Sequence, residues 1–333
     1  MKLGFRLCIR MLLPRLILFF SIATFSTEFA VAQSSFADRI PISTESEIEF
    51  IETWLEKAVR SNNDTDLAAG ILLAEAHDSQ ISSIDFLEQA TNTDTTEISL
   101  IASLLTHCNT TPRLSSCNLD KLGNSLKELD PENAYPYVLT SLILSNNGDK
   151  SGALSELKQA LSKNTFDDYV IPRAELLINK LNDIDYPKER LIEQAFLWGG
   201  DNFAIVYQGL LELCEGNTPT SLDWKSTCRQ LGELMEDYGR TFIAVRIGLG
   251  IQRSLYSFDP ADERLLNAVQ RRRAFTHRWR VLLTQNYGQL LDAGHDEYFN
   301  DQIEVDEIYA INEAFQREAG TRDPDSFLNR NSR

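Results

Sequence analysis

The chain has 333 residues, of which 43% are hydrophobic, and a formal net charge of −17. That apolar content excludes a disordered chain and suits a globular fold. The acidity argues against nucleic acid or an anionic membrane as a general partner, because like charges repel.

Lys2, Arg6, Arg10 and Arg15 precede a short apolar run from Leu16 to Ala23, and Ala30-Val31-Ala32 follows before Gln33. A positive flank, a short apolar core and a small-x-small site are the order of a secretory signal peptide. The run is too short for a comfortable membrane span. The expectation is therefore a signal peptide over 1–32, starting at Met1 or at Met11. Its cleavage removes four basic residues and one acid, and takes the charge from −17 to −20. A periplasmic or secreted protein with no stable membrane span follows.

Residues 33–43 are polar. Ser43 or Thr44 is placed to cap a helix to about Arg60, with Ile48, Ile51, Trp54, Leu55 and Ala58 on one face. A second helix starts at Asp64 or Thr65 and passes through Leu67, Ile71, Leu72 and Ala76; a third holds Ile84, Leu87 and Ala90. Helices from Ile98 to Thr106 and from Leu119 to Leu129 flank a polar link.

The most regular stretch is Asp130 to Ala160. Asn133 reads as an N-cap with Pro136 in the first turn, where a missing N–H costs little. Tyr137 and Leu144, with Val138 and Leu142, give that helix an inner face. Gly148 suits the left-handed conformation that closes a helix, and Ala153, Leu157, Ala160 and Leu161 recur at helical spacing after it.

This unit resembles a tetratricopeptide (TPR) repeat, on the places held by Tyr137, Leu144, Gly148, Ala153, Leu157 and Ala160. The Leu-Gly pair that the family carries in the middle of its first helix is Thr140-Ser141 here. The hairpin ending at Ala90 lies two repeats of about 34 residues upstream, so three units are expected to stack. The resemblance implies an all-α fold, an α-solenoid of TPR-like helical hairpins. It also implies a protein or peptide partner held in a concave groove. By repeat position that groove is lined by Tyr135, Val138, Leu142, Ser145 and Asn146. Val138 and Leu142 depart from the Lys and Asn places of the subclass that grips a carboxy-terminus, so no carboxylate clamp is expected.

Beyond Ala160 the period blurs into a divergent helical half. Helices are predicted over Tyr169 to Leu181, Leu191 to Trp198 and Phe203 to Leu213. Leu231-Gly232, Met235, Gly239 and Ala244 then recover repeat spacing as a degenerate unit. Gly248-x-Gly250 is no nucleotide loop, because no strand precedes it; close helix packing accounts for it. Two longer helices, from Pro260 and from about Asp296 to Ala319, end the fold. The organisation is thus a signal peptide (1–32), a repeat region (33–181), a divergent repeat region packed on it (182–320) and a polar tail (321–333).

Cys108, Cys117, Cys214 and Cys228 remain after cleavage. An even number in an oxidising compartment suggests pairing, and three connectivities are possible. Cys108–Cys117 and Cys214–Cys228 are favoured, because each pair brackets one turn-rich link. No close Cys/His cluster offers a zinc site, and no cofactor or metal is expected.

Arg271, Arg272, Arg273, Arg278 and Arg280 form a basic cluster interleaved with Phe275 and Trp279. It reads either as a docking patch or, more simply, as neutralising the acids of the last helix, Asp296, Glu297, Asp301, Glu304, Asp306 and Glu307. Asp167-Asp168 could be a carboxylate pair for acid–base work, but a helix N-terminus explains it more simply. No catalytic signature is present. The functional reading is an envelope scaffold or adaptor for a protein or peptide; the alternative is an α-helical enzyme acting on cell-wall glycan, which needs a pocket of converging carboxylates and aromatic platforms.

Overall fold

The computed structural model describes residues 45–61, 63–77, 79, 81–90, 95–110, 118–183, 191–200, 203–217, 221–256, 263–281, 305 and 307–319. Among them the regular structure is entirely helical, as α1 (Glu45–Ala58), α2 (Asp64–Ala76), α3 (Ser83–Ala90), α4 (Ile98–Thr110), α5 (Leu119–Leu129), α6 (Tyr135–Asn146) and α7 (Lys150–Ala160). The order continues with α8 (Val170–Asp183), α9 (Leu191–Gly199), α10 (Phe203–Asn217), α11 (Leu222–Tyr238), α12 (Phe242–Leu255), α13 (Glu263–Val281) and α14 (Glu307–Ala319). The signal-peptide and polar-tail segments lie outside the described residues.

Local chemistry places the helix ends. The α2 cap is Asn63, one residue before the predicted start; its side chain accepts from the N–H groups of Thr65 and Asp66. Asn118, Asp149, Ser221 and Thr241 cap α5, α7, α11 and α12 in the same way. Gly148 has φ +84°, as a tight helix-to-helix link requires. Asn133 differs from its predicted role: Ala134 stands at the α6 N-cap without a side-chain bond, and Asn133 is buried.

Neighbouring helices pair as antiparallel partners α2/α3, α4/α5, α6/α7, α8/α9 and α11/α12. The pairs enclose two cores. One gathers Leu126, Tyr135, Val138, Leu157, Tyr207, Leu231 and Ile251, with α4 contributing Ile101 and Leu105. The other joins Ile51, Leu55, Leu67, Ile71 and Phe86 to Leu177, Leu181 and Trp198. Its α4 residues are Leu100 and Leu104, so α4 is the wall between the cores. The α8/α9 pair turns back onto α2, while α6 and α7 are covered by α10 and α11. The boundary expected at 181/182 therefore falls inside α8, whose partner α9 shares its core.

The Cys214–Cys228 disulfide joins α10 to α11, and both cysteines are fully buried. Cys117 and the Cys108 side chain, and with them the other expected pair, lie outside the described residues. Gly232 and Gly248 let α11 and α12 cross in backbone contact: a Cβ on Gly232 would sit 2.7 Å from the Gly248 carbonyl oxygen, and one on Gly248 would sit 2.6 Å from that of Gly232. The close-packing reading of Gly248 is the one the helices display.

Three variants test this packing. Gly248→Ala should cost about 1–3 kcal/mol by overpacking, whereas Gly216→Ala, on an exposed turn of α10 with open space around it, should stabilise by up to about 1 kcal/mol. Urea unfolding of both variants reads the opposite signs. The double variant C214A/C228A should lose roughly 3 kcal/mol in the same assay, the loop-closure contribution for a span of this length.

Candidate functional site

A dense polar cluster forms where the α7–α8 link meets the ends of α5, α11 and α14. Phe166 N–H donates to the Tyr238 carbonyl at 3.1 Å, and Arg240 N–H donates to the Phe166 carbonyl at 3.1 Å. This short parallel bridge sets the next two residues, Asp167 and Asp168, into the interior. Tyr169 follows with φ +62°, a left-handed conformation that costs an aromatic residue about 1–3 kcal/mol. It is held by its own N–H, which donates to Asp167 Oδ1 at 2.8 Å, and by its hydroxyl, which donates to Asp130 Oδ2 at 3.1 Å.

The two aspartates face different partners. Asp167 Oδ2 accepts from Arg240 Nη1 at 2.6 Å. Asp168, fully buried, accepts from the Tyr207 and Thr241 hydroxyls, each at 2.7 Å, and from the Val170 N–H at 3.4 Å. Thr241 also caps α12, so Asp168 ties the start of α8 to α10 and to the start of α12. Burial, reinforced by the Asp167 charge, pushes the Asp168 carboxyl up despite these donors. Burial pushes the Tyr207 hydroxyl up as well.

Asn133 completes the cluster. Its Nδ2 donates to Asp130 Oδ2 at 2.9 Å and to the Asp167 carbonyl at 2.8 Å, and its Oδ1 accepts from the N–H groups of Tyr135 and Asp167, both at 3.0 Å. Arg240 also donates to the Val305 carbonyl at 2.8 Å, and Glu307 accepts from the Phe242 N–H at 2.5 Å, which fixes α14 to the start of α12.

Such a cluster holds backbone in place; a carboxylate as deeply enclosed as Asp168 is not presented to a substrate. The helix-terminus reading of Asp167-Asp168 is correct as far as it goes, since both accept N–H groups at the head of α8. The long-range partners Tyr207, Arg240 and Thr241 were missed by sequence reasoning. The only signal for them was the adjacent acid pair itself.

The residues expected to line a groove separate into two groups. Tyr135, Val138 and Leu142 are buried in the core, where α10 covers α6 and Leu142 meets Gly209; they do not line open surface. Ser145 is partly exposed and Asn146 exposed, at the end of α6. The inward turn of the first three follows from α10 packing over the face of α6 that was expected to be open.

Within the arginine cluster, Arg271 pairs with Glu236 of α11 and donates to Gln252 of α12 at 3.3 Å, so its acid comes from α11 and not from the last helix. Arg272 is buried, Arg273 exposed and Arg278 partly buried. The Arg280 side chain, and Asp296, Glu297, Asp301, Glu304 and Asp306, lie outside the described residues. Among the described residues no group of three or more His, Cys, Asp or Glu side chains is placed to hold a metal ion. A surface hollow lined by Asn63, Asp64, Thr65, Thr96 and Glu97 contains two carboxylates and no aromatic side chain.

No protein-family model matches the chain, and no match is found among curated proteins or among solved structures.

The Asp168 carboxyl gives a pH prediction. Its folded pKa lies above the ordinary value of 3.8, so the folded chain binds a proton where the unfolded chain has lost it. Its contribution to stability is therefore greatest below pH 3.8 and falls as pH rises through the folded value. Asp168→Asn removes this slope, so wild-type stability relative to the variant should grow between pH 7 and pH 4 in urea melts. Asp168→Ala strands the Tyr207 and Thr241 hydroxyls and should cost about 3 kcal/mol at pH 7.

Proposed function

We propose that this chain is an exported TPR-like scaffold that binds a protein or peptide partner in the cell envelope. The observation that carries the reading is the run of antiparallel helix pairs tied together at repeat spacing. Asn133 and Asp167, which open successive hairpins, are bonded to each other across 34 positions, the length of one TPR unit. Export is supported by the signal-peptide pattern of residues 1–32 and by the buried Cys214–Cys228 disulfide, a bond that persists in oxidising compartments. No described helix is long and apolar enough to cross a membrane.

With Tyr135, Val138 and Leu142 enclosed, the partner meets side chains on the later helices. Leu222 at the start of α11 is 86% exposed and Ile205 on α10 is 51% exposed, and Leu266 of α13 is also exposed. Large apolar side chains held on rigid helices provide contact area at small entropic cost.

A photo-crosslinking amino acid placed separately at Ile205, Leu222, Leu266 and Arg273 tests this in native envelope extract at low and high salt. Expected is one protein, trapped at one or more of the apolar positions and retained at high salt. Trapping only at Arg273, lost in high salt, would move the contact to the arginine cluster. No trapped protein at either salt would sink the scaffold reading.

A further inference from the structure

The second core is closed by a contact that a proton can break. The α8/α9 pair meets α2 at both of its ends. At the head of α2, Asp66 pairs with Lys180 of α8 at 2.7 Å. At the tail, His77 ends the helix, and its ring lies edge-on to Trp198 of α9 with centroids 4.8 Å apart and planes at 63°. Trp198 is 5% exposed. The next residue, Gly199, holds that end of α9 against the α8 backbone: a Cβ there would sit 3.0 Å from the Ala174 nitrogen. His77 is only half-buried, so of the two rings it is the one with a way out.

The Nε2 atom of His77 is sealed from solvent and has no hydrogen-bond partner. A neutral imidazole tolerates this, since the sealed nitrogen can be its acceptor. An imidazolium does not: both nitrogens are then donors, and a buried charge must be paired or hydrated. The charged groups around the ring are engaged elsewhere. On α1, Glu52 accepts from the Ser79 hydroxyl at 2.9 Å, and Glu47 acts on the ring only through space. On α2, Glu75 pairs with His107 of α4. Asp85 of α3 accepts from the Ser82 N–H at 3.1 Å. The described side chains of α9, Gln194, Ala195, Phe196 and Trp198, carry no charge. Burial therefore lowers the pKa of His77 despite the pull of Glu52 and Glu47.

We propose that His77 is a proton-operated latch: once protonated, its ring leaves Trp198 for water and releases the α8/α9 pair from the tail of α2. The sign follows from where the proton binds. With the ring in water it is taken up near the ordinary value of 6.5, and with the ring on Trp198 only at lower pH. Between those two values acid shifts the population toward the open form by up to about tenfold per pH unit, and above 6.5 the latch is closed. Acid thus loosens the closure of the second core and leaves the first, which holds no histidine among its buried residues, unchanged.

The test is fluorine NMR of the full oxidised chain labelled with 5-fluorotryptophan and titrated from pH 8 to pH 5, with the Trp198 signal assigned by W198F. Expected is a one-proton change of the Trp198 signal with its midpoint below pH 6.5, while Trp224 in the first core stays fixed. H77F should abolish the change and H107Q should retain it. A Trp198 signal constant across the range overturns the latch, as does a change that H77F retains, that H107Q abolishes, or that Trp224 shares. If H77F does not fold, H77Q decides by hydrogen exchange of residues 191–199. Corrected for intrinsic rate, exchange should be about tenfold faster at pH 5.5 than at pH 7.5 in the wild type and equal at both in H77Q; any other pair of results overturns the latch.

Discussion

The Phe166–Tyr169 link is the constraint on which the rest of this fold depends. One tetrad of residues makes a parallel bridge to the α11–α12 link, buries two adjacent carboxylates, and turns the chain left-handed at a tyrosine. The last two features are unfavourable alone. An isolated buried carboxylate or an aromatic residue at φ +62° costs free energy that only surrounding bonds can offset. Here those bonds come from Asp130 at the end of α5, Tyr207 of α10, and Arg240 and Thr241 in the α11–α12 link, so the link is stable only when these elements are assembled. The local geometry and the tertiary arrangement determine one another.

The helices themselves were legible in the sequence because they are written in short-range chemistry. The unit from Tyr135 to Ala160 has the predicted positive φ at Gly148, and of the predicted inner face Ala153, Leu157 and Ala160 are fully buried and Leu161 partly buried. Helix α5 has the predicted bounds. The crossing of α11 on α12 could be anticipated from Gly248, since glycine where helices approach closely is a local signal with a tertiary cause.

What could not be read is which face of a helix ends up covered. Val138 and Leu142 are apolar whether they line a groove or a core, and periodicity does not distinguish the two. Their burial follows from α10 lying over α6, a contact between helices that three other helices separate in the chain. The same limit hid Tyr207, Arg240 and Thr241. A tyrosine on an amphipathic helix and a threonine cap each have an adequate local explanation, and neither announces a carboxylate from another helix. Asn133 does more than its type announces: it accepts the Tyr135 N–H at the head of α6, as a cap would, and the same side chain is bonded to the Asp167 backbone one hairpin later.

The return of α8 and α9 onto α2 has a consequence for how the chain is made. Leu67, Ile71 and Phe86 emerge from the ribosome about a hundred residues before Leu177, Leu181 and Trp198, which complete their core. A simple row of hairpins can lay down each unit on the one before it, with mostly local contacts. In this chain the amino-terminal helices keep an open apolar face until residue 199 has arrived, and the contacts that close it span long loops. The helices α1 to α3 therefore cannot lock into their final core on their own, and their packing waits on a pair made much later.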